Sequence, residues 1–125
     1  MIPTRAPDVE SHLVFGLRSI APTFNVKPAA TKPYRHLIVR ADLQGKVTPI
    51  SRYCRVVVQA WSVRADGTAD LGDAFDLAND AAHWLETHLD GFVLSASVEA
   101  GPFRVVDDVT RIEHQDVTAL LEVSV

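Results

Sequence analysis

The stretch Arg64–Asp80 carries five aspartates in seventeen residues. Aspartate and glycine at close spacing are what a calcium loop is built from. Counted from Asp66, positions 3 and 5 are Thr68 and Asp70, both oxygen donors. Position 12, where a bidentate glutamate closes the coordination shell, is Leu77. The pattern fails at its strongest ligand. The same residues read better as the start of a helix. Asp70 is placed to cap it, Asp73 sits in the positive first turn, and Asp73, Asp76 and Asp80 share the outer, solvated face.

The other reactive side chains are scattered. His12, His36, His83, His88 and His114 fall on four elements, without HExxH or HxH spacing. His83 and His88 are five residues apart, so they do not share a helix face. Cys54 is the single cysteine and lies on the apolar face of a strand, where a thiol behaves as a small inert hydrophobe. Ser51, Ser62, Ser95 and Ser97 lack a GxSxG context, and neither GxGxxG nor a Walker motif is present. Asp107 and Asp108, followed by Glu113 and Asp116, form an acidic cluster near a strand-to-strand turn. It leaves open a small ligand-binding domain or enzyme with its site near Asp107, Asp108 and His114. A solvated turn is the simpler reading.

Composition narrows the class. A chain of 125 residues with 47% hydrophobic content fits one domain, residues 1–125, with a core of its own. The net charge is −4 and the 12 basic residues are dispersed, so no basic stripe for gripping nucleic acid forms. One cysteine excludes an intrachain disulfide and fits a reducing compartment. The first ten residues lack the apolar core of a signal peptide, and no apolar run reaches the ~20 residues of a membrane helix. The expectation is a soluble protein made or assembled in the cytoplasm.

Periodicity supplies the elements that position these side chains. PDVESHLVFGLRSIAP reads as a helix with Val9, Leu13, Gly16, Leu17 and Ile20 on one face, ended by Pro22. Gly16 in mid-helix costs about 1 kcal/mol against alanine, which suggests a close approach. The proline-containing stretch FNVKPAATKPYRH reads as an edge strand or extended loop. Alternation then predicts a strand with Leu37, Val39, Ala41 and Leu43 on one side, turning at Gly45. A second strand carries Cys54, Val56, Val58 and Ala60 on an apolar face, and Tyr53, Arg55, Val57, Gln59, Trp61 and Val63 opposite. A long helix follows, with a stripe of Leu71, Ala74, Phe75, Ala78, Ala81, Ala82, Leu85 and Leu89. Two strands finish the chain, one with Phe92, Leu94, Ala96 and Val98, the other with Val117, Ala119, Leu121, Val123 and Val125. The order is α-β-β-β-α-β-β. It predicts an α+β fold: a mixed, mostly antiparallel sheet with two helices packed on one face.

Five apolar side chains fall outside what this core requires. Leu77 and Trp84 lie beside the stripe of the second helix and widen it. Trp61 and Val57 occupy the mixed face of their strand, and Phe15 lies off the face of the first helix. These five are the candidate subunit interface, because aromatic side chains are enriched where subunits meet. A wide core is the plainer explanation of the same residues.

Three segments carry a family resemblance. PDVESHLVFGLRSIAP resembles the opening helix of tail terminator proteins from long non-contractile-tailed bacteriophages, especially those of actinobacterial hosts. RVVVQAWSV with DLGDAFDLANDAAHWLETHL resembles their central strand–loop–helix module. GPFRVVDD with DVTALLEVSV resembles the last strand pair. The likeness runs from Pro7 to Val125 through diffuse patterns rather than a fingerprint. It implies a virion structural subunit, not an enzyme, without cofactor or metal. Such a subunit forms a ring, commonly sixfold, that caps the tail tube, ends tail elongation and joins tail to head. The implied partners are other copies of itself, the tail tube protein and a head-completion or neck protein. DNA would pass through the ring without sequence-specific binding. The chain departs from the pattern between Phe24 and Lys46, where prolines stand in place of a glycine-marked hairpin.

Overall fold

The computed structural model describes residues 8–26, 34–48 and 50–124. Helix α1 spans Val9–Leu17, strand β1 Thr23–Phe24, β2 Arg35–Thr48, β3 Ser51–Ser62, helix α2 Leu71–Thr87, β4 Val93–Val106 and β5 Glu113–Ser124. The five strands form one sheet in the order β1-β2-β3-β5-β4. Only the β1–β2 pair is parallel. The expected α+β class and element order are those observed.

Both helices lie on one face of the sheet. Cys54, Val56, Val58 and Ala60 of β3 and Val117, Ala119, Leu121 and Val123 of β5 are buried against them, as alternation predicts. α1 begins at Asp8, whose carboxylate accepts from the Ser11 backbone N–H at 3.0 Å. α2 begins at Asp70, which accepts from the Asp73 N–H at 3.1 Å. Each cap satisfies a donor that the first helical turn cannot pair internally.

Three expectations need correction. β2 does not turn at Gly45; it runs on to Thr48, and the residues after Leu43 are absorbed by register shifts at Lys46 and Thr48. In β4 a register shift between Val93 and Ser95 puts Val93 inside and leaves Leu94 exposed. A bulge thus reverses the face that simple alternation assigns to Leu94. The buried face of α2 is also rotated from the expected stripe. It consists of Ala74, Leu77, Ala78, Ala81, Trp84 and Leu85, while Phe75 and Leu89 are exposed. Alanines on the sheet-facing side let α2 lie close, and the larger Leu77 and Trp84 join the common core. Trp84 reaches α1 itself, where a Cβ on Gly16 would run into its indole. Of the stretch read as an edge strand or loop, residues 27–33 lie outside the described residues.

Candidate functional site

The aspartates of the Arg64–Asp80 stretch are occupied by the fold. Asp66 accepts from the Thr68 N–H at 3.0 Å and the Thr68 hydroxyl at 2.6 Å, closing the loop after β3; those bonds hold its carboxyl below the usual range. Asp70 is the helix cap. Asp73 is not on the solvated face. Its Oδ2 accepts from Ser62 Oγ at 2.6 Å and Arg35 Nε at 2.9 Å, fastening the first turn of α2 to the end of β3 and the start of β2. The Ser62 hydroxyl, and after it Arg35, hold the Asp73 carboxyl below its usual range against partial burial. Among the described residues, no group of three or more His, Cys, Asp or Glu converges as a metal ligand set.

The acidic cluster does not assemble into a site. Asp107 Oδ2 accepts from the backbone N–H groups of Val109 and Thr110 and from the Thr110 hydroxyl, at 2.8–3.2 Å, so it shapes the β4–β5 turn. Asp108 is exposed on that turn. His114 is 2% exposed, inside the protein. A groove of about 630 Å³ does lie beside this turn, but Thr68, Leu71, Val106, Arg111 and Glu113 line it. Asp107, Asp108 and His114 do not converge on it.

His114 belongs instead to a row of rings that sequence reasoning missed. The indole of Trp61 stacks on His114 at 4.3 Å and on His36 at 5.8 Å, with interplanar angles of 21° and 10°. Phe24 meets His36 edge-on at 6.0 Å. His114 Nδ1 and Asp116 Oδ1 form a 2.5 Å hydrogen bond, and the Trp61 Nε1–H donates to Gln59 Oε1 at 3.0 Å. These side chains lie on the sheet face away from the helices, yet His36, Trp61, His114 and Asp116 are all buried. The imidazole–carboxylate pair has the form of a base and its orienting acid. Buried, and with the Trp61 indole stacked on its ring, His114 offers no access to a reacting atom. The row is a structural clamp across β1, β2, β3 and β5. Its only trace in the sequence was Trp61 on a mixed strand face, since the partners arrive through strand pairing, as in the His36–Trp61 register.

Cys54 is fully buried. Burial first, then Asp42 and Glu10, push its thiol up to about 11, against a small opposing effect of Arg52. A thiol held protonated and enclosed is a poor nucleophile.

The candidate interface residues divide. Leu77, Trp84 and Trp61 are interior, with Leu77 and Trp84 in the core under the helices and Trp61 in the ring row. They supply no surface, because α1 and the neighbouring strands cover what one-element reasoning left bare. Val57 is half-buried on the open face. Phe15 is 78% exposed on the outer side of α1. Other strongly exposed large apolar residues are Val26, 67% exposed just after β1, Ile50, 71% exposed at the β2–β3 turn, and Val109, 88% exposed at the β4–β5 turn, the last two each in a hairpin turn. β2 and β4 run in opposite directions, so these two turns stand at opposite ends of the sheet. An exposed apolar residue in a turn has no periodicity around it, which is why neither was singled out from sequence.

No family model and no curated protein sequence matches this chain.

Proposed function

We propose that the protein is a structural assembly subunit of a long-tailed phage virion. In this reading it forms a ring, of six copies by the family resemblance, that caps the tail tube at the head–tail junction. The observation that carries the reading is the placement of exposed apolar side chains. Ile50 and Val109 mark the two opposite ends of the sheet, and Phe15 marks its flank. A ring subunit stacked between a tube and a neck needs contacts at both ends and along its sides. Large exposed apolar residues are suited to such contacts.

The inward-turned reactive groups support the same reading. His114 and Cys54 are enclosed, and the carboxylates of Asp66, Asp70, Asp73 and Asp107 serve turns, caps and a clasp. The net charge of −4 suits a ring through which DNA slides without being held. The partners proposed are further copies of this chain, the tail tube protein and a neck protein.

The test is tube elongation. Tail tube protein is polymerised with and without the purified chain, and tube lengths and ends are scored by negative-stain microscopy. The expected result is shorter tubes, each with added density at one end. Tubes of unchanged length and bare ends would refute the proposal.

A further inference from the structure

We infer that the sheet continues from one copy to the next, with the outer edge of β4 pairing antiparallel with the outer edge of β2 in a second copy. The inference rests on the ring reading above and specifies its joint. Three antiparallel steps separate β2 from β4, so these two strands run in opposite directions. A second copy in the same orientation therefore presents its β2 antiparallel to β4, and the ladder alternates without interruption. Such a contact uses two different patches, and a rotation that repeats it closes a ring.

The open parts of both edges lie at the same height. Cα pairing across the sheet gives the rows Leu43–Cys54–Leu121–Ala96, Asp42–Arg55–Leu120–Ser97 and Ala41–Val56–Ala119–Val98. Along these rows β4 is regular from Ser95 to Val98, and among the described residues no strand lies beyond β2. Lower down both edges are closed. β1 covers β2 at Leu37 and Ile38. At those same heights stand Arg104 and Phe103 of β4, past a bulge at Gly101–Pro102 that breaks the ladder. Matched heights mean that copies join without axial rise, the condition for a closed ring rather than a helical filament. Charge agrees: exposed Glu99 of β4, ion-paired at 3.6 Å with Arg55 of its own chain, lies between the rows of Ala41 and Arg40, so its carboxylate also faces the exposed Arg40 of the next copy.

The test uses the full chain with the exposed pair Asp42→Cys and Ser97→Cys, which the joint would bring opposite each other. Cys54 is buried and stays out of the reaction. After mild oxidation, the double variant is expected to give a ladder of covalent multimers on a non-reducing gel. Mixing the two single variants should stop at a covalent dimer, and neither single variant should link to itself. Arg40→Glu should lower the assembled fraction at least tenfold, and adding Glu99→Arg should restore it. Self-linking of either single variant would overturn the inference in favour of a two-fold dimer. An assembly of unchanged mass in light scattering with no cross-link would overturn the joint while leaving the ring reading standing. A monomer without cross-links, both alone and with tail tube protein, would sink both.

Discussion

The two faces of the sheet are buried by different means. The face under the helices is aliphatic and continuous: Val56, Val58, Ala60, Val117, Ala119 and Leu121 meet Leu13, Leu17, Leu77 and Trp84. The opposite face is divided. At one end it holds half-buried Phe24 beside buried His36, Trp61, His114 and Asp116; at the other it carries exposed Tyr53 and Arg55. The first face is held by volume and close packing, the second by ring stacking and the hydrogen-bonded pairs His114–Asp116 and Trp61–Gln59. Stability therefore resides mainly on the helix face, and exposed apolar side chains are found at the turns and on the outer side of α1.

Trp84→Ala should break the first face most severely, with a loss of about 3–5 kcal/mol in denaturant unfolding. The indole fills the space between α1 and α2, and its removal leaves a cavity against Gly16. Trp84→Glu should likewise unfold the protein rather than weaken its association alone, because Trp84 is core and not surface. A Trp84→Ala variant of near wild-type stability would show that the helices do not meet through this residue.

Asp116→Ala tests the second face. It strips the buried His114 of its carboxylate partner and should cost about 1–3 kcal/mol. Gly16→Ala presses a methyl into the Trp84 ring and should cost about 1–3 kcal/mol despite the better helix propensity of alanine. If Gly16→Ala stabilises the protein, the close approach of α1 and α2 is wrong.

Asp73→Asn should cost about 1 kcal/mol by weakening the clasp to Ser62 and Arg35. The wild-type clasp also has a pH signature. The folded carboxyl titrates below its unfolded value, so its contribution is complete above the unfolded pKa and is lost as pH falls through the folded one. Unfolding curves of wild type and Asp73→Asn should converge under acid and separate toward neutrality. A pH-independent difference would remove the carboxylate from the account. Phe15→Ser, Ile50→Ser and Val109→Ser should each change stability by no more than about 0.5 kcal/mol, while lowering the assembled fraction.

The helix face was legible in the sequence because alternation along β3 and β5 sets each side chain in or out. The cap of α2 was legible too, since Asp70 stands where capping requires it. What escaped came from pairing between distant segments. The rotation of α2 follows from Trp84 meeting Gly16, and the exposure of Leu94 from a register shift in β4. The ring row forms because β2 and β5 bring His36 and His114 to either side of Trp61. Periodicity within one element registers none of these. Of the interface candidates, Phe15 and Val57 are the two that keep exposed surface. The turn residues Ile50 and Val109 carried no pattern to be read.

The most direct test of the central claim is the mass and shape of the particle in solution. Light scattering across the size-exclusion peak, with negative-stain microscopy of the same fractions, should be run on the chain alone and after mixing with tail tube protein. The account predicts closed rings of about six times the 13.7 kDa chain mass, free or seated on tube ends. A 13.7 kDa monomer at every concentration, absent from tube ends, would contradict it.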